Sequence, residues 1–72
     1  MTVGDTVTFN FDTFINVTPR RLVRIDNQIH GVIVKRYEVP LTPDDHEPLE
    51  FSVYVSKWDI HLDCWKNILL PV

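Results

Sequence analysis

With 72 residues, the chain has room for one domain around one small core, expected to supply only about 3–5 kcal/mol of stability on its own. The only cysteine, Cys64, excludes an internal disulfide, and no CxxC or Cys–His pattern offers a zinc staple; a lone thiol fits a reducing compartment. The net charge of −3 weighs against non-specific nucleic-acid binding, but Arg20, Arg21, Arg24, Lys35 and Arg36 fall in the first half and Glu38, Asp44, Asp45, Glu47 and Glu50 follow, a polarity suited to docking.

The opening MTVGDTVTFNF has no basic region followed by an apolar run, so no signal peptide is expected there. No apolar run approaches the ~20 residues that span a bilayer, and the chain reads as cytoplasmic, without membrane contact. From Val7 the alternation is strict, Val7, Phe9 and Phe11 against Thr8 and Asn10, which predicts a half-buried strand. Val3-Gly4-Asp5 supplies a turn just before it. Residues 12–20, DTFINVTPR, end at Pro19, which cannot donate to a ladder. They read as a long loop with Phe14 and Ile15 tucked back over the end of the domain.

RLVRID and IHGVIVKRYEV flank Asp26-Asn27-Gln28, predicting a hairpin in which Asn27 takes the left-handed conformation. Gly31 falls inside the second of these strands, where glycine marks a bulge or bend that lets one long strand serve two sheets. Val32 and Val34 point one way and Ile33 and Lys35 the other, so Ile33 needs cover from elsewhere. PLTPDDHEP (40–48) reads as an acidic loop. LEFSVYVS resumes alternation with Phe51, Val53 and Val55 inward. Trp58 to Cys64 alternates again with opposite parity, requiring a turn or bulge near Ser56-Lys57 or Asp59-Ile60, with no glycine to mark which. WKNILLPV is too short for a stable helix and predicts one 3₁₀ turn at Trp65–Asn67 followed by a closing strand. No segment of ten or more residues keeps a helical period, so the chain is expected to be all-β.

Three stretches together resemble the SH3-like barrel superfamily: Val3-Gly4-Asp5-Thr6-Val7 at the start, Gly31-Val32-Ile33-Val34 in the middle, and Asn67-Ile68-Leu69-Leu70-Pro71 after the aromatic pair Trp58 and Trp65. Small bacterial and phage proteins of that type begin with a V-G-D-x-V strand, continue with a G-x-V/I strand, and close with an aromatic-rich hairpin, a 3₁₀ turn and a late proline. The resemblance implies a single barrel over residues 1–72, of about five short antiparallel strands with a 3₁₀ turn near the C-terminus. Signalling SH3 domains read proline-rich peptides with a tyrosine-rich, acidic first loop, and DTFINVTPRR has neither feature.

Four kinds of site are legible. Asp59, His61 and Asp63, with Cys64 or His46, offer ligand chemistry for zinc or manganese. Alternate strand positions are ~6.5–7 Å apart, however, too wide for one ion, and no metal or cofactor is expected. Cys64 and His61 make the only nucleophile–base pair close in sequence, but they fall on opposite faces of a strand, so no catalytic site is expected. Arg20, Arg21, Arg24, Lys35 and Arg36, with Phe14, Tyr37 or Tyr54 as stacking surface, would suit a nucleic-acid-binding barrel. Tyr37, Tyr54, Trp58, Asp59 and His61 would suit a protein partner, since tyrosine and tryptophan dominate binding hot spots; Trp65 reads as core closure. The first expectation is a non-catalytic, protein-binding accessory or adaptor module, phage-encoded, as a virion component or a modulator of a host complex. The second is the nucleic-acid-binding barrel, and an open edge strand leaves room for a homo-oligomer.

Overall fold

A strand buries every second residue, and Val7 and Phe9 in β1 (Thr6–Phe9) are fully buried, with Phe11 edge-on to Phe9 at 6.1 Å between ring centres. The structure, a computed structural model, describes residues 1–41 and 49–72, with residues 39–41 in backbone only; the predicted acidic loop, with His46, otherwise lies outside the described residues. These form seven strands and one 3₁₀ turn: β1, β2 (Thr13–Thr18), β3 (Arg21–Ile25), β4 (His30–Leu41), β5 (Leu49–Val55), β6 (Ile60–Cys64), the 3₁₀ turn Lys66–Ile68 and β7 (Leu69–Pro71). The fold is all-β, and every strand pairing is antiparallel. One sheet has the order β6-β5-β4-β1-β7 and the other is the hairpin β2-β3.

The turn at Gly4 forms as the sequence predicts. Gly4 sits at φ 95°, its N–H donates to the Ile33 carbonyl at 2.8 Å, and Asp5 closes the turn by accepting the Thr2 N–H at 2.9 Å. Phe51, Val53 and Val55 are buried as expected. The 3₁₀ turn falls one residue later than predicted and feeds β7, which pairs with β1 through Leu69, Leu70 and Pro71.

Four expectations are corrected. Residues 13–18 are a strand, because Thr13, Ile15 and Val17 are half-buried while Phe14, Asn16 and Thr18 face out. The exposed Phe14, 61% accessible, masked that alternation and is not tucked over the domain. The turn at Asp26 forms, with the Ile29 N–H donating to the Asp26 carbonyl at 3.1 Å, yet β3 and β4 do not make a hairpin: β3 pairs with β2, and β4 with β1 and β5. Asn27 is not left-handed; among the described residues Asp59, at φ 53°, is the only non-glycine residue with positive φ, and it supplies the parity switch between β5 and β6. Ile33 is buried and Val32 and Val34 are exposed as expected, but Lys35 does not share the face of Ile33 and is exposed as well. The register slips between Ile33 and Lys35, so Val34 and Lys35 are consecutive outward residues.

The core gathers the inner faces of both sheets: Val23 and Ile25 from the hairpin, Val7, Phe9, Ile33, Phe51, Val53, Val55, Cys64 and Leu69 from the larger sheet, and Ile29 from the connection. Two contacts lock the layers. The Thr8 hydroxyl reaches the Asn27 and Ile29 carbonyls at 2.7 and 2.9 Å, and the Trp58 indole N–H donates to the Arg24 carbonyl at 3.2 Å. No helix among the described residues is long and apolar enough to cross a membrane.

Candidate docking face on the outer side of the sheet

Strand register decides which side chains share the outer face. Val32, Tyr54 and His61 stand in one cross-strand row, and Lys35, Ser52 and Asp63 in the next. Tyr54 donates its hydroxyl to Asp59 Oδ1 at 2.7 Å, and its ring centre lies 4.9 Å from the His61 ring. Tyr37 donates to Asp63 Oδ1 at 2.6 Å with the Lys35 ammonium 5.0 Å over its ring. Ser52, between Lys35 and Asp63 in its row, is buried.

Each tyrosine is held in its neutral form. The hydrogen bond to Asp63, then desolvation and the nearby negative charge, push the Tyr37 phenol above its ordinary value; Asp59 does the same to Tyr54. The face therefore presents two oriented phenol–carboxylate pairs, an imidazole and an ammonium, chemistry suited to recognition. Four of the five predicted partner-binding residues, Tyr37, Tyr54, Asp59 and His61, are brought together here. The fifth, Trp58, is half-buried against the core and committed to Arg24, with Lys57 5.0 Å over its ring; it seals more than it presents. Sequence reasoning put Asp63 on one strand face with Asp59 and His61, as ligand chemistry, and Lys35 beside Tyr37 among the nucleic-acid candidates; it missed the Tyr37–Asp63 pair, because the two are 26 positions apart and only register joins them.

The basic residues do not form one patch. Lys35 stands opposite Ser52 on the outer face and Arg36 opposite Phe51, whereas Arg20 and Arg21 lie at the tip of the hairpin β2-β3. The Arg24 guanidinium is clamped by Asp12 at 2.6 and 3.0 Å and by Asp26 at 3.2 Å. The hydrogen bond from Arg24 holds the Asp12 carboxyl below its usual range, and two carboxylates on one guanidinium leave no free positive charge there. Among the described residues no three His, Cys, Asp or Glu side chains are placed to hold a metal; Asp59 and Asp63 each serve a different tyrosine.

Cys64 is 2% exposed, and burial, reinforced by Asp63, pushes its thiol up to about 12, so it stays a thiol near neutral pH. The unfolded chain gives up this proton near 9.0 and the folded chain only near 12, so stability is complete below pH 9 and falls as pH rises toward 12. Tyr37 and Tyr54 add to the same loss from pH 10 upward. Urea titrations at pH 8 to 11 are expected to show this fall, with a visibly shallower slope in Cys64→Ala; an unchanged slope would place the thiol in water. No family model, curated protein or solved structure matches the chain.

Proposed function

We propose that the protein is a non-catalytic docking module, an SH3-like barrel that binds a partner protein through Tyr37, Tyr54, Asp59 and His61. The observation that carries this reading is the pair of exposed, pre-oriented phenol–carboxylate contacts on one face of the sheet. Rigid tyrosines already held by neighbours lose little side-chain freedom on binding, which is why they recur at hot spots. Kinship with the SH3-like barrels is supported by three placements: the Gly4 turn ahead of β1, Gly31 near the start of β4, and the 3₁₀ turn leading into β7 with Pro71. The role fits a small phage-encoded accessory protein, a virion component or a modulator of a host complex, acting in the cytoplasm.

The test is capture of partners from native lysate by the tagged protein, with and without nuclease. A stoichiometric, nuclease-resistant partner is expected. Its affinity should drop at least about 30-fold in Tyr54→Ala or Tyr37→Ala, the loss typical of a hot-spot residue, with a native circular dichroism spectrum. Trp58→Phe, away from the face, should keep the complex. A complex indifferent to both tyrosine changes sinks this face, and a catch that disappears with nuclease would transfer the role to Arg20, Arg21, Lys35 and Arg36.

A further inference from the structure

Among the described residues four strands, β2, β3, β6 and β7, pair on one side only, and residues of two of them, β2 and β6, border one groove. Among the described residues β2 pairs only with β3, and β6 only with β5. Between them runs a groove of about 350 Å³. Ile15 and Val17 of β2 and Ile60 and Leu62 of β6 line it, all half-buried and packed against the core. Asn16, Asp59 and His61 complete its lining and are exposed.

We propose that this groove takes an extended peptide segment of the partner as an added strand between β2 and β6. The inference rests on the protein-binding reading above and names the form in which the partner is bound. The chemistry comes from the backbone. An open strand edge presents N–H and C=O groups that only water satisfies until another main chain pairs with them, and strand addition is an established way of recognising peptides. Here two edges flank one slot, so a single inserted strand would pair on both sides and join the hairpin to the larger sheet.

Side-chain chemistry narrows the occupant. An extended segment turns alternate side chains to one face, and the four aliphatic residues beneath call for small or branched apolar side chains at those positions. Asp59 is the groove's one carboxylate, and no lysine or arginine lines it. The complementary segment therefore carries a lysine or arginine at the Asp59 end. The groove shares Asp59 and His61 with the outer face, while Tyr37 and Tyr54 lie outside its lining.

The probe is a set of peptides selected from a displayed random library against the full-length protein. The selected peptides are expected to alternate apolar and polar residues with a basic residue at one end. Amide hydrogen exchange should slow along β2 and β6 on binding, and methylating two alternate peptide nitrogens should weaken binding by about ten-fold or more, because it removes main-chain donors without touching the protein. Val72→Ala, at an exposed position outside both the groove and the outer face, should leave peptide affinity unchanged. Protection confined to the Tyr37–Tyr54 face, affinity indifferent to N-methylation, or a library yielding nothing that protects β2 and β6 would each overturn the groove. Failure of the outer face is read separately, from a captured partner that survives Tyr37→Ala and Tyr54→Ala.

Discussion

Gly31→Ala is expected to remove roughly half of the protein's stability. Gly31 faces Val7 of β1 across one ladder, and a Cβ built on it would stand 2.4 Å from Val53 Cγ1 and 3.1 Å from the Tyr54 carbonyl oxygen. The valine is fully buried and branched at Cβ, so it has few rotamers to escape into, and the carbonyl belongs to the backbone of a central strand. Forcing extra carbon into a packed core costs about 1–3 kcal/mol and sometimes more, against a total expected near 3–5 kcal/mol. The urea midpoint should fall by roughly half. Val53→Ala removes the clashing methyl, so Gly31→Ala with Val53→Ala should be more stable than the sum of the separate losses predicts. A Gly31→Ala protein that melts within a degree or two of the parent would show that the strands separate freely at this point.

The second large effect contrasts neighbours in β4. Ile33→Ala should cost about 2–5 kcal/mol, the range for emptying a fully buried aliphatic site, which at this size means loss of the folded state at ambient temperature. Val34→Ala should cost under about 0.5 kcal/mol, as for an ordinary surface change, because Val34 is 43% exposed. Chemical denaturation of the two variants decides it. Equal losses would mean that Ile33 and Val34 are buried alike, against the opposite faces they take here.

Where the local pattern and the burial agree, the residues themselves announced the structure. Val7 and Phe9, then Phe51, Val53 and Val55, alternate with polar neighbours and are buried. Gly4 preceded a strand and takes the positive φ that a glycine permits. The region from Trp58 to Cys64 required a switch of parity, and Asp59 provides it, aspartate being one of the few side chains that tolerate the left-handed region. The docking face was half legible: its aromatic and acidic members are unusual enough to be noticed, but their grouping was not.

What stayed hidden shares one physical cause. Pairing in a sheet joins residues far apart in the chain, and a slip of a single residue exchanges the two faces. DTFINVTPR alternates in burial while carrying an exposed phenylalanine outside, so its apolar pattern does not reveal which face is inner. Asp26-Asn27-Gln28 is a genuine turn, yet turn chemistry specifies only a local reversal, and Arg21–Ile25 finds its partner in Thr13–Thr18 rather than in the strand that follows. By itself the sequence determined an all-β chain, the places of its first strand and its penultimate pair, its C-terminal 3₁₀ turn to within one residue, and an unpaired cysteine, because these follow from composition and from two-residue periodicity. Tertiary structure alone decided that Tyr37 meets Asp63, that Asp12 and Asp26 share Arg24, and that the open edges of β2 and β6 border one groove, because each depends on how strands distant in sequence are registered and layered around the core.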